Sequence, residues 1–319
     1  MDTFPKATNI QLPARHGDPG ITLSVHQQGA GFPVVLLHGF PDLAITWRHQ
    51  FPALAQAGFR AMAPDQRGFG ASDKPEKIAD YDLIDLTGDT VGLLDTLGGE
   101  KAVFAGHDWG GVLAWAMAVL HPERTAGVIG VCTPYMALPG INIIRAAFGQ
   151  DDAAHYIVWF QKPGVAEAVL DRQARVCFEK LMRRNIPPGD VKNRPDMNPF
   201  RRLPEMPLYG EPLVSGDVLA VYAETFARTG FRGGINWYRN IDRNLELVPD
   251  MGKKALKLPC LMLTAEWDFA LPPRLAAGMP ELRSDLEMHM IVKAGHWVHQ
   301  EFPDEVNRLM IDWLRPRFL

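Results

Sequence analysis

The chain has 319 residues, 47% of them hydrophobic and 22% charged, and a formal net charge of −4. That balance fits a soluble globular protein with one large domain, or a domain carrying a sizeable insertion. It argues against a nucleic-acid partner, which would favour a clustered basic surface. The opening residues lack the apolar core of a secretory signal, and the longest apolar stretch, GVLAWAMAVL, is too short to span a bilayer. A cytoplasmic protein with no membrane partner is therefore expected.

Taken in chain order, apolar runs of strand length appear at ITLSVHQQG, PVVLLHG, FRAMAPD, KAVFAGHD and GVIGVCT, and later at CLMLTAE and LEMHMIV. Several are apolar nearly throughout, as in strands covered on both faces. Helical patterns fill 82–97, 110–121 and 303–314. The alternation predicts an α/β fold with a mostly parallel sheet flanked by helices. After Cys132 the rhythm breaks: strand signals stop and helix-like segments alternate with Pro/Gly/Arg-rich stretches. A helical cap inserted between two late strands explains this, with a core of 1–133 and 246–319 and a cap of 134–245. The basic stretch MRRNIPPGDVKNRPDMNPFRR within it reads as a solvated cap loop. Cys132, Cys177 and Cys260 form neither a disulfide framework nor a zinc pattern, so reduced packed thiols are expected. No ligand cluster or phosphate loop implies a metal, nucleotide or flavin, and no cofactor is expected.

The strand KAVFAGHD runs directly into the helix WGGVLAWAMAVL, and Gly106-His107-Asp108-Trp109-Gly110 stands at the junction. The spacing is that of the G-x-S-x-G nucleophile elbow, with Asp in the place of Ser. Small flanking residues suit a sharp turn that crowds the backbone, and the helix N-terminus favours an ionised carboxylate. Asp108 taken alone would also fit an ordinary helix N-cap. Three further signals give it chemical meaning. His38-Gly39-Phe40-Pro41 follows the strand PVVLLHG, where a backbone N–H can serve an oxyanion hole; the donors would be Phe40 and Trp109. Asp268 follows CLMLTAE and His296 follows LEMHMIV, so each lies past the carboxyl end of a strand. Their order of nucleophile, acid, histidine is that of the elbow fold. Glu266 is a weaker candidate for the acid. His107, His121, His289 and His299 fit no second base position and read as structural.

The segments HGFP, PDQRGFGASDKP, GHDWGG, FQKPGVAEAVL, NWYRNI, LTAEWDFALPP and AGHWVHQEFP together resemble the epoxide hydrolases of the α/β-hydrolase superfamily. The resemblance covers nearly the whole chain. HGFP and RGFG-S are widespread in that superfamily, and GHDWGG is shared with some haloalkane dehalogenases. FQKPGVAE and NWYRN are closer to the soluble epoxide hydrolases, here in a bacterial-type form without the phosphatase domain of the vertebrate enzymes. The resemblance implies Asp108 as nucleophile, His296 and Asp268 as the water-activating pair, and two cap phenols, Tyr156 and Tyr238, as acids directed toward Asp108. It also implies a small apolar epoxide and water as the substrates, with Phe40 and Trp109 in the substrate pocket. A homodimer is compatible with it. Tyr81, Tyr135, Tyr209 and Tyr222 lie outside the matching motifs.

An aspartate is ionised at neutral pH and needs no base to act as a nucleophile. Attack on a saturated carbon gives an alkyl ester, which water must then cleave with His296 as general base. An epoxide adds a requirement, because its alkoxide needs a proton donor, and a phenol can supply it. Halide needs none. A haloalkane dehalogenase is the alternative reading, with the Trp109 indole as one halide donor. Such enzymes usually carry a second donor, often Asn or Glu where Phe40 stands, and Phe40 cannot donate from its side chain. The Asp-Trp-Gly elbow also differs from the Asp-Arg-Gly of fluoroacetate dehalogenases. A non-catalytic binding protein would be signalled by missing triad members, and none is missing.

Overall fold

The computed structural model describes residues 4–14, 20–148, 151–184, 197–282 and 285–319. The middle of the basic stretch, 185–196, lies outside the described residues.

Among the described residues one eight-stranded sheet runs in the order β1-β2-β4-β3-β5-β6-β7-β8. Its strands are β1 (Thr8–Gln11), β2 (Thr22–Gln28), β3 (Phe32–Leu37), β4 (Phe59–Asp65), β5 (Ala102–His107), β6 (Thr125–Val131), β7 (Cys260–Ala265) and β8 (Leu286–Ile291). Pairing from β4 through β8 is parallel, whereas β1 and β2 pair antiparallel. The apolar runs are continuous because helices cover both faces, and β5 and β7 are buried at every position. All seven expected strands are present. β1 was not anticipated: it is a short edge strand exposed at three of four positions, so it carries no apolar signal.

Helices α1 (Gln50–Gln56), α2 (Leu83–Thr96) and α3 (Trp109–Leu120) alternate with the first strands. The Asp82 carboxylate caps α2 by accepting the N–H groups of Ile84 and Asp85. Between β6 and β7 stand α4 (Ile141–Phe148), α5 (Tyr156–Trp159), α6 (Val165–Leu170), α7 (Ala174–Leu181), α8 (Gly216–Thr229), α9 (Arg232–Arg239) and α10 (Ile241–Leu247). The chain ends with α11 (Val298–Glu301) and α12 (Pro303–Phe318), the latter running beyond the expected end at 314.

The sheet has a hydrophobic core on each face. One lies between the sheet, α1 and α12, around Trp47, Phe51 and Trp313. The other holds Phe104 and Trp115 and continues into the inserted helices through Phe178, Phe226 and Phe231. Burying each such phenylalanine contributes about 1.5–3 kcal/mol, so the insertion is held by the same apolar mass that covers the sheet. Polar contacts fix its position. The Trp237 indole N–H donates to the carbonyl of Arg67 at 3.1 Å, and the Tyr222 hydroxyl donates to Oδ1 of Asp42 at 2.6 Å. The Tyr135 hydroxyl donates toward the carbonyls of Lys254 (3.0 Å) and Asp250 (3.3 Å), tying the two chain crossings together.

Candidate active site

The turn from β5 into α3 places Asp108 at φ 53°, ψ −125°, a conformation that residues with a Cβ seldom adopt. The backbone there is tightly packed. A Cβ at Gly110 would stand 2.0 Å from the carbonyl oxygen of Leu37, which accounts for a small residue two positions after Asp108. The Asp108 carbonyl accepts from Gly111 N–H (2.9 Å), Val112 N–H (3.2 Å) and the Thr133 hydroxyl (2.8 Å), so the first turn of the helix and the end of β6 hold the bend.

The register of β3 against β5 pairs Leu37 with Gly106 and brings the loop after β3 beside the elbow. There the Phe40 N–H donates to Oδ1 of Asp108 at 2.8 Å. The Trp109 N–H is a second backbone donor to the same carboxylate. Two N–H groups thus converge on one carboxyl group, the arrangement an oxyanion hole requires. Burial pushes the Asp108 carboxyl above its ordinary value; the charge of His296 and the two N–H groups oppose that rise without cancelling it.

Asp268 follows β7 and His296 follows β8. His296 Nδ1 lies 2.9 Å from Oδ2 of Asp268, and its Nε2 lies 3.9 Å from Oδ2 of Asp108. Asp268 is further held by the N–H groups of Ala270 and Leu271, each 2.9 Å from Oδ1. Burial would raise Asp268, but the positive charge of His296, with these hydrogen bonds, holds it below its usual range. Burial would lower His296, yet the Asp268 charge and hydrogen bond, together with the Asp108 charge, push it up to about 9. The ring therefore holds its proton more tightly than a free imidazole, between the carboxyl groups of Asp268 and Asp108. Glu266 is exposed, and its Oε2 accepts the Lys293 N–H at 2.8 Å, so it holds a turn and Asp268 is the partner of His296.

Above the elbow is a cavity of about 390 Å³, lined by Phe40, Asp108, Trp109, Tyr156, Tyr238 and His296 among others. Six of the seven residues singled out from the sequence therefore face one space, with Asp268 behind His296. The Tyr156 and Tyr238 rings stand 5.7 Å apart at 79°, and Tyr238 meets the Trp109 ring edge-on at 5.1 Å. Burial, followed by the neighbouring Asp108 charge for Tyr156 and by Tyr156 itself for Tyr238, pushes both phenols upward, so both keep their protons at neutral pH.

Residues 33–303 match the alpha/beta hydrolase fold family. Epoxide hydrolase A of Mycobacterium tuberculosis is 40% identical over 307 residues, which cover 92% of this chain and 94% of that protein. The chain belongs to the epoxide hydrolases of the α/β-hydrolase fold family. A bifunctional epoxide hydrolase 2 from Sus scrofa is 39% identical over 302 residues; the match takes in 93% of this chain and 54% of the relative, so the chain spans about half of that longer protein. The crystal structure of epoxide hydrolase A from Mycobacterium thermoresistibile superposes with a TM-score of 0.84 at 37% identity, over 97% of this chain and 98% of that one.

Within this epoxide hydrolase fold, several contacts to the site escaped sequence reading. The His296 carbonyl accepts from Nε2 of His107 at 2.7 Å and from the Cys132 thiol at 3.3 Å. Burial, reinforced by the charge of His296, lowers His107 to about 3, so this ring is a neutral donor. Gln161 donates from Nε2 to the carbonyls of Ile157 (2.8 Å) and Tyr238 (3.0 Å), clamping the helices of the two phenols together. It lies in the FQKPGVAEAVL motif, the one signal that could have pointed to it. Two buried groups, His107/Cys132/His296 and Asp42/His107/His299, bring potential metal-ligand atoms within 4.8 Å of one another. Burial raises the Cys132 thiol well above its usual value, which opposes the thiolate that a metal would need. No helix among the described residues is long and apolar enough to cross a membrane.

Proposed function

We propose that the protein hydrolyses apolar epoxides to vicinal diols in two steps. The facing phenols Tyr156 and Tyr238, in one cavity with the elbow carboxylate, carry this reading. In the first step a carboxylate oxygen of Asp108 bonds to an epoxide carbon. The carbon–oxygen bond of the ring breaks, and the released oxygen takes a proton from a tyrosine. The product is a hydroxyalkyl ester of Asp108. Esterification removes the Asp108 charge, one of those that raise His296, so the imidazolium gives its proton back to the tyrosinate and becomes a neutral base.

In the second step His296 takes a proton from water as the water oxygen attacks the ester carbonyl. Asp268 orients the ring and stabilises its charged form. Phe40 and Trp109 N–H hold the negative oxygen of the tetrahedral intermediate; one such donor is commonly worth about 3 kcal/mol. Collapse expels the diol oxygen, which takes the proton of the newly added hydroxyl, and the Asp108 carboxylate and the His296 imidazolium are restored. The inserted helices, residues 134–245, act in this scheme as a cap that supplies the leaving-group acids. A cytoplasmic setting suits the three buried free thiols.

The dehalogenase alternative needs N–H donors for halide. Beside Trp109 the structure offers the apolar Phe40 ring and the Tyr238 hydroxyl, a pairing better suited to an alkoxide. Purified protein with styrene oxide, and separately with a 1-haloalkane, tests the choice. Diol without halide is expected; halide without diol would overturn the proposal. Asp108→Ala abolishes both turnover and covalent trapping.

A further inference from the structure

Three polar side chains on the cavity wall, Thr133, Arg274 and His155, have no part in the two steps; Thr133 is committed to the Asp108 carbonyl and Arg274 is exposed, which leaves His155 as the buried one. His155 precedes α5, and its Nδ1 accepts the backbone N–H of Ile157 at 3.2 Å. Burial lowers the ring to about 4, so it is neutral at physiological pH. A neutral imidazole that accepts at Nδ1 carries its single proton on Nε2. Nε2 has no hydrogen-bond partner among the described residues, and His155, only 6% exposed, lines the cavity.

The ring is firmly placed. Phe148 packs against it at 4.3 Å, and Tyr156 stacks on it at 4.9 Å with 22° between the planes. Tyr156 in turn meets Tyr238. The donor therefore stands one ring beyond the phenols, on the side of Phe148, which is partly exposed at 42%. The cavity wall as a whole is largely apolar, with Met136, Leu138, Ile144 and Met197 among its residues. A hydrocarbon tail covering this N–H would leave it without any acceptor, whereas a tail bearing an oxygen would satisfy it.

We propose that His155 is a substrate-recognition residue whose Nε2–H donates to an ether, carbonyl or hydroxyl oxygen on the substrate tail. The preferred substrates are then oxygen-bearing epoxides, such as glycidyl ethers, rather than pure hydrocarbon epoxides. This rests on the epoxide reading above.

The test compares kcat/KM for two isosteric pairs: phenyl glycidyl ether with 4-phenyl-1,2-epoxybutane, and 4-phenoxy-1,2-epoxybutane with 5-phenyl-1,2-epoxypentane. Each is measured with wild type, His155→Phe and His155→Asp. The Phe variant keeps the ring packing, and the Asp variant keeps a side-chain cap on α5; neither has the N–H. The intrinsic effect of the oxygen on reactivity cancels when ratios are compared between proteins. In at least one pair, the oxygen-over-methylene preference of the wild type is expected to fall about tenfold in both variants. Unchanged ratios in both variants, with diol still forming, would overturn the recognition role alone. No diol from any of the four with wild type would overturn the epoxide reading, and this inference with it.

Discussion

Nε2 of His296 stops 3.9 Å short of Oδ2 of Asp108, beyond hydrogen-bond reach. The two groups do not shuttle a proton between them, as a serine and its histidine must. In the proposed second step the nitrogen is instead available to a water molecule approaching the ester. His296→Gln should accordingly leave the first step intact and slow the second by about 10²–10⁴. Intact-mass spectrometry after mixing with an epoxide should show the protein heavier by one substrate. An unmodified mass, with the fold retained, would remove His296 from the water-activating role.

The same ring leaves a pH signature in stability. Its pKa rises from 6.5 to about 9 on folding, so the folded chain binds the proton more tightly than the unfolded chain. The stabilisation is complete below pH 6.5 and is lost as pH climbs through 9; the shift corresponds to about 3 kcal/mol. Urea unfolding of wild type and His296→Gln should show their difference shrinking by roughly that amount over this interval. A pH-independent difference would refute the resting imidazolium.

Catalysis should show an acidic limb governed by Asp108. Burial raises this carboxyl, and in the proposed mechanism only its ionised form attacks. Ester formation should therefore fall with decreasing pH at a midpoint above the ordinary aspartate value of 3.8. Single-turnover trapping in the His296→Gln background isolates that step, although losing the imidazolium moves the midpoint further upward. A midpoint at or below 3.8 would contradict the burial argument.

Tyr156→Phe and Tyr238→Phe should each slow ring opening by about tenfold or more, because either phenol can still donate. The double variant should lose about 10²–10⁴. Full epoxide turnover by the double variant would end the proton-donor proposal.

Gly39 offers a steric test. A Cβ there would lie 2.3 Å from Oδ1 of Asp108 and 2.5 Å from its Cβ, so Gly39→Ala must displace either the loop or the carboxylate. A shift of about 1 Å in the reacting group commonly costs 10²-fold. Turnover should fall by that order while circular dichroism still reports a folded protein. Wild-type kcat would show that the loop yields without cost.

The strands that build the site were legible because both faces of the sheet are covered, which writes them as uninterrupted apolar runs. Asp108, Asp268 and His296 were legible because strand ends gather them in a fixed order. β1 was not, since three of its four residues face water. The helices of the insertion were poorly delimited: α5 has four residues and α6 six, too few for a 3.6-residue period to declare itself. The supports of His296 left no local trace either. His107 reaches it across 189 positions and Cys132 across 164, each through a backbone carbonyl. A side chain that grips a distant backbone atom has no partner residue type to recognise. His107 and His299 both read as structural, and both rings are buried in the cluster behind His296, their centroids 4.6 Å apart.

The insertion joins the sheet at two crossings that Tyr135 holds together, and the proposed reaction would be divided between the strand ends and the inserted helices. The proposed nucleophile, the proposed water-activating pair and the two N–H donors follow strand ends; the phenols and His155 lie in the insertion. On that scheme, drift in the helices that spares the two phenols would alter which molecules are admitted while the ester-cleaving half continues to run. Under changing chemical exposure, such a division would let the keyhole be re-cut while the lock is kept.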